Sequence, residues 1–260
     1  MASSRLAALL AASLLVFTFA SASHAEVVSK GGLLLNFSGG ISPTALPRER
    51  QAPISVGLAG TVKAFSGEGT PPLRRLEIAI NRGGRLDTRG LPLCSREAIQ
   101  PSSTAQAREI CGPALVGEGS FDADVLFPGQ AAFPSHGHVL AFNAVVAGRP
   151  AILAHVYGRR PASTTRIIVF HIGHGSGTYG TVLTASVPES LDQWGHLTHF
   201  SLDLHRDFTY RGRRHSYLSA SCPAPSGFPG ATFPFARAAI TFADGRTLTS
   251  TLTRSCRVRR

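Results

Sequence analysis

The sequence is poor in charged residues, which make up 16% of its 260 residues, whereas hydrophobic residues make up 43%. This balance excludes an intrinsically disordered chain and predicts a folded body. Lysine is almost absent, since only Lys30 and Lys63 occur among the 26 basic residues. The preference for arginine, together with 27 glycines and 17 prolines, is typical of a GC-rich genome and carries no functional signal by itself.

Long apolar runs are also scarce, and the sequence has one, at residues 6–20. Its length of about 15 residues falls short of the roughly 20 that a membrane-spanning helix needs. Arg5 precedes the run, and small residues at positions 20–25 follow it, which is the pattern of a secretory signal peptide. We therefore predict a signal peptide over residues 1–25, a secreted mature chain that is extracellular or associated with the cell envelope, and no transmembrane segment after cleavage.

The sequence lacks a Cys-x-x-Cys pair, the spacing on which most cysteine zinc sites depend. Its four cysteines, Cys94, Cys111, Cys222 and Cys256, all follow the predicted signal, and an even number in an exported chain indicates two disulfides. Three pairings are open. We favour Cys94 with Cys111 and Cys222 with Cys256, because each pair closes a short local loop. Closing the smaller loop stabilises the fold by about 3 kcal/mol in the chain-entropy model.

Short apolar stretches alternate with Gly, Pro, Asp and Ser along the mature chain, which is typical of an all-β fold. Residues 139–146, 151–157 and 166–172 are apolar on both faces and are expected to be central strands. An Asp-Gly pair at 244–245 predicts a hairpin between two late strands. No long polar linker divides the sequence. We predict one domain over residues 26–260, an antiparallel β-sandwich of roughly 10–12 strands.

One segment, residues 103–111, has a helical pattern. Ser103 can cap its first turn, and Gly112 followed by Pro113 ends it. The sequence therefore predicts one short helix inside the loop that the first disulfide closes.

A glycine-rich string at residues 175–180 matches the G-x-G-x-x-G pattern of dinucleotide-binding folds. That pattern works by placing a pyrophosphate at the N-terminus of a helix, whereas residues 181–184 have the composition of a strand. We interpret the string as a hairpin.

Histidines and acids are the best candidates for chemistry. His199, Asp203 and His205 share the polar face of a predicted strand and are candidates for a metal site, with an ordinary solvated strand face as the favoured alternative. His171 lies among apolar residues and is interpreted as a core histidine. The acids at 118, 122 and 124 share a strand face without a calcium-loop pattern, and we interpret them as a solvated acidic edge.

The formal net charge is +11 at pH 7, which favours an anionic partner. Arg211, Arg213 and Arg214 lie next to Tyr210 in a glycine-containing segment and are candidates for anion binding, with a simple exposed turn as the alternative. Because the chain is predicted to be secreted, an anionic cell-envelope polymer or lipid surface is the expected partner, and no nucleic acid is expected.

Several segments together resemble a family of uncharacterised secreted proteins of GC-rich bacteria. The resembling segments are residues 90–95, 111–119, 197–200, 216–223 and 242–245. The resemblance implies export and a shared scaffold but no assigned activity and no catalytic residues. It also places the cysteines inside recurring segments, as expected of structural disulfides.

These patterns together favour a non-enzymatic binding or structural module at or outside the cell envelope, with no cofactor. The alternative is a metal-dependent hydrolase that uses the His/Asp strand face of His199, Asp203 and His205.

Overall fold

The computed structural model describes residues 25–65, 69–127, 129–187 and 195–259. The predicted signal peptide lies outside these residues except for Ala25. In the described part the chain forms eighteen strands, two α-helices and one turn of 3-10 helix. The helices are α1 (Arg96–Ile99), α2 (Thr104–Cys111) and the 3-10 turn Gly112–Ala114. The strands are β1 (Glu26–Lys30), β2 (Leu33–Ser42), β3 (Ala45–Leu46), β4 (Ala52–Pro53), β5 (Ser55–Ala64), β6 (Leu73–Asn81), β7 (Gly84–Leu86), β8 (Leu115–Val125), β9 (Phe133–Val146), β10 (Arg149–Gly158), β11 (Thr164–His174), β12 (Tyr179–Ser186), β13 (Gly195–Leu204), β14 (Asp207–Tyr210), β15 (Arg213–Ser216), β16 (Leu218–Ala220), β17 (Gly230–Phe242) and β18 (Thr247–Val258).

Thirteen strands form one sheet, in the order β1-β2-β5-β13-β8-β9-β10-β11-β12-β6-β17-β18-β3. Every pairing in it is antiparallel except the short one between β18 and β3. The three segments expected to be central, β9, β10 and β11, occupy the middle of this order. The described residues form eighteen strands, more than the roughly 10–12 predicted, and six of them have four residues or fewer: β3, β4, β7, β14, β15 and β16.

The large sheet folds back on itself, so that its two ends meet. Strand β18 near one edge contacts β1 and β2 at the other edge. Arg254 of β18 donates a hydrogen bond from Nε to the carbonyl oxygen of Gly39 at 2.5 Å, and Arg246 donates from Nη1 to the carbonyl of Gly31. The two halves of the sheet therefore face each other across a shared apolar core, as in a sandwich.

Alternation along the strands fills this core. Leu33, Leu35 and Phe37 of β2 are buried and face inward, and Leu248 and Leu252 of β18 reach the same core from the opposite half. Because side chains at every second residue of a strand share a face, the intervening residues remain on the outer surface. The all-β fold predicted from the alternation is confirmed.

A second apolar cluster lies on the outer face, where the disulfide loop covers the centre of the sheet. The helices α1 and α2 contribute Ile99 and Ala107, which pack on Leu140, Phe142 and Leu153 of β9 and β10. Burying each of those three sheet residues contributes roughly 1.5–3 kcal/mol. This cover explains why the central strands are apolar on both faces.

Local capping sets the limits of α2. The Ser103 hydroxyl accepts a hydrogen bond from the backbone N–H of Gln106 at 3.3 Å, and the Gln106 side chain accepts one from the backbone N–H of Ser103 at 2.9 Å. This reciprocal pair is a capping box. Pro113 lies within the 3-10 turn Gly112–Ala114 that follows. The short helix inside the disulfide loop is therefore confirmed, and the one-turn α1 precedes it.

Candidate functional site

The four cysteines form two disulfides, Cys94 with Cys111 and Cys222 with Cys256, which are the pairings that loop length favoured. All four residues are buried. Since a disulfide sulfur offers no thiolate, these cysteines are structural and supply no metal ligand.

Two of the three residues of the predicted His/Asp strand face lie on one face of the same strand. His199 and Asp203 are four positions apart on β13 and lie on the same outer side of the sheet. His205 follows the end of the strand, where its backbone N–H donates to the carbonyl of Val116 at 3.0 Å. The His199 ring contacts the Thr61 hydroxyl at 3.1 Å through Nδ1. Within the described ranges, no three His, Cys, Asp or Glu side chains are gathered closely enough to hold a metal ion.

Cross-strand pairing gives His199 a neighbour that the sequence did not reveal. Asp122 of β8 is paired with His199 on one side and with His136 of β9 on the other. The acids on β8 therefore lie in the interior of the sheet order and not at an edge, although Asp122 and Glu118 are exposed to solvent as expected. No local signal could show this, because β8 and β13 are far apart in sequence.

Among the histidines that the structure describes, His155 is fully buried, whereas His171, which we expected in the core, is half-buried. His155 Nε2 lies 3.2 Å from the Ser102 hydroxyl and 3.1 Å from the Ser102 carbonyl oxygen. Since the Ser102 hydroxyl itself donates to the carbonyl of Ile99 at 2.6 Å, His155 is the donor to Ser102. Burial lowers the pKa of His155, because the site stabilises the neutral imidazole.

This burial predicts acid sensitivity of the fold. The folded pKa of His155 lies below the unfolded value of 6.5, so below that value the unfolded chain binds a proton that the folded chain does not. The free energy of unfolding is therefore expected to decrease as pH falls from 7.5 through about 6.5. Urea unfolding of the wild type and of His155→Gln, which keeps a donor and does not titrate, measures the effect.

On acidification, the free energy of unfolding of His155→Gln is expected to decrease less than that of the wild type. His196→Gln is the companion variant, because burial also lowers the pKa of His196 and contributes with the same sign. Equal pH dependence in the wild type and His155→Gln would contradict the prediction.

The basic segment singled out in the sequence forms a separate two-stranded hairpin of β14 and β15. Arg211 and Gly212 make its turn with φ of +50° and +70°, the left-handed pair that fits a tight hairpin. A left-handed conformation costs a residue such as arginine about 1 kcal/mol or more. Arg211 in the turn and Arg213 and Arg214 at the start of β15 are exposed, and the Arg214 side chain is 84% exposed.

Aromatic rings pack against one another along this hairpin. His215 stacks on Phe208 with ring centroids 5.5 Å apart and meets the edge of Tyr210 at 5.9 Å. The His215 ring also lies 3.6 Å from a carboxylate oxygen of Asp87, outside the hairpin. Gly90, with φ of +77°, lies so close to Tyr210 that a Cβ atom would be 2.1 Å from the ring. The hairpin is therefore anchored to the body of the protein.

The structure also has a groove beside α2 that was not predicted from the sequence. It has a volume of about 610 Å³ and is open to solvent. Helix α2 and the outer face of β9 and β10 form its sides; we refer to it as the α2 groove. Its lining residues are Ser103, Thr104, Ala105, Arg108, Glu109, His138, Tyr157 and Arg159. The packing of the helix on the sheet brings them together, so sequence spacing gave no sign of the groove.

No family model, curated protein or solved structure matches this chain. The resemblance to secreted proteins of GC-rich bacteria therefore stays a prediction. In the part of the chain that the structure describes, no helix has the length and apolar character needed to cross a membrane.

Proposed function

We propose that the protein is a secreted, non-enzymatic binding module that attaches to a phosphate-bearing surface of the cell envelope through Arg211, Arg213 and Arg214. Either an anionic polymer or a lipid headgroup supplies that chemistry. The net charge of +11 attracts the protein to such surfaces, and the hairpin tip is the place of contact.

The exposure of the three guanidinium groups on a braced hairpin is the observation that carries this proposal. Arg214 is paired with Asp207 at 3.2 Å, whereas Arg211 lies over the ring of Tyr210, 5.2 Å from its centroid. Among the described residues, no carboxylate lies within ion-pair distance of Arg211 or Arg213. Their charge is therefore available to a partner, and the anchored base reduces the entropy lost on binding.

Secretion is supported by two observations. Both disulfides suit an oxidising compartment outside the cytosol. The N-terminal residues have the charge, apolar run and small residues of a signal peptide.

Replacing Arg211, Arg213 and Arg214 together by serine is expected to weaken binding to isolated bacterial cell envelopes about 100-fold, since each basic residue near an anionic surface contributes about 1 kcal/mol. Binding of the wild-type chain should also decrease from low to high salt, because exposed charges are screened. Co-sedimentation of the mature chain with envelopes at both salts measures the two effects.

The matched control is the triple variant Arg149→Ser, Arg166→Ser and Arg257→Ser, which removes the same charge from exposed positions outside the hairpin. It is expected to bind much more tightly than the hairpin variant. Vesicles with and without anionic lipid, and extracted envelope polymer, identify the source of the phosphate. A wild-type chain that stays in the supernatant at both salts would refute the proposal.

A further inference from the structure

The α2 groove has the size and lining of a ligand site, and no part of it belongs to the β14–β15 hairpin. Its volume of about 610 Å³ lies within the roughly 300–1,000 Å³ of small-molecule sites. We infer that the α2 groove binds an uncharged saccharide, with one sugar ring stacked on Tyr157 and its hydroxyl groups bound by the charged residues of the walls. This site is independent of the proposed envelope attachment.

The floor of the groove offers a fixed aromatic ring. Tyr157 of β10 is paired directly with His138 of β9, so both side chains stand on the same outer face. The Tyr157 hydroxyl donates to the Ser163 hydroxyl at 3.2 Å, and its ring stacks on the buried His155 with centroids 6.5 Å apart. A half-buried ring held in this way presents a flat apolar face, which suits the C–H face of a pyranose.

The walls supply planar polar groups. Arg108 and Glu109 project from α2, and Arg159 follows the end of β10. Arg108 is held by both carboxylate oxygens of Glu118, with Nη2 to Oε2 at 3.0 Å, which fixes the direction of its guanidinium. Guanidinium and carboxylate groups each offer two adjacent donors or acceptors, and this geometry matches two neighbouring hydroxyl groups of a sugar.

The charge balance of the groove decides between an ionic and an uncharged ligand. Arg108 is compensated by Glu118, and Arg159 on one side is balanced by Glu109 on the other. The lining itself has two arginines and one carboxylate, and Glu118, which lies outside the lining, neutralises Arg108, so the groove has little net attraction for a polyanion. A ligand rich in hydroxyl groups uses both signs of charge, because hydroxyls donate to carboxylates and accept from guanidinium groups.

Titration calorimetry of the mature chain with linear oligosaccharides of glucose, galactose, mannose and N-acetylglucosamine tests the inference. At least one of these probes should bind, with an affinity that is nearly independent of salt. Arg159→Ala should weaken binding about tenfold or more, since a lost hydrogen bond to a charged group costs that much. Arg160→Ala removes the same charge from the neighbouring residue, which does not line the groove, and should leave binding within about twofold.

Two substitutions of Tyr157 separate stacking from a structural role. Tyr157→Phe keeps the ring and should retain binding, because its hydroxyl is engaged by Ser163. Tyr157→Leu should weaken binding about tenfold, with the thermal unfolding midpoint recorded to confirm folding. Failure of all four sugars to bind, or equal losses in Arg159→Ala and Arg160→Ala, would overturn the inference. The hairpin triple variant should bind sugar as the wild type does, and loss of sugar binding in that variant would place the ligand outside the groove.

Discussion

Replacing Cys222 and Cys256 together by alanine is expected to lower the free energy of unfolding by about 4 kcal/mol, because the disulfide closes a loop with a sequence separation of 34. Without the crosslink the unfolded chain gains conformational freedom. Both residues are buried in the main core, and Cys222 is held there by its backbone N–H, which donates to the carbonyl of Pro47 at 2.8 Å. Urea unfolding of the double variant and the wild type measures the difference.

The matched comparison is the double variant of Cys94 and Cys111, whose sequence separation is 17. Its expected loss is about 3 kcal/mol, because a shorter loop restricts the unfolded chain less. Both variants should lose stability. A loss below about 1 kcal/mol for the Cys222 and Cys256 variant would show that loop closure is not the source of its stabilisation.

Substituting Gly119 by alanine is expected to destabilise the protein by about 3 kcal/mol. Gly119 lies on β8 beside β13, and a Cβ atom there would be 1.9 Å from the backbone oxygen of Ser201 and 2.9 Å from the Cα of Leu202. These atoms are backbone, so they cannot rotate away as a flexible side chain would. The two strands must separate, which weakens their hydrogen bonds. Denaturant unfolding measures the loss.

Gly40 on β2 provides the control, because a Cβ atom at this strand position would meet nothing within 4 Å. Gly40→Ala is expected to leave stability unchanged or to raise it by about 0.5 kcal/mol, since alanine restricts the unfolded chain. Similar losses at the two positions would contradict the role of the close approach between β8 and β13.

Local patterns gave much of this fold. Apolar stretches predicted β9, β10 and β11, the capping residue Ser103 predicted α2, and the Asp-Gly pair predicted the hairpin between β17 and β18. The glycine-rich string forms the predicted hairpin between β11 and β12. Each of these features depends on residues that are close together in the chain, so a short stretch of sequence is enough to predict it.

Other features depend on contacts between distant segments and could not be predicted. Strand β2 was missed because Leu33, Leu34 and Leu35 hide the alternation, and only pairing with β5 decides which of them is buried. The pairing of Asp122 with His199 likewise depends on where β13 enters the sheet. The α2 groove forms because α2 packs on β9 and β10, and the spacing of residues in the sequence does not predict that packing.

The place of β13 in the sheet has a consequence for how the protein reaches its folded state. This strand, which begins at residue 195, lies between β5 and β8, both of which are made much earlier. Until it emerges, those two strands each present an edge of unpaired backbone groups, the kind of edge that promotes aggregation. In a chain that emerges from its N-terminus, β5 and β8 therefore gain their shared neighbour only after about three quarters of the chain has been made, and the sheet is complete only when β18, which ends at Val258, has followed.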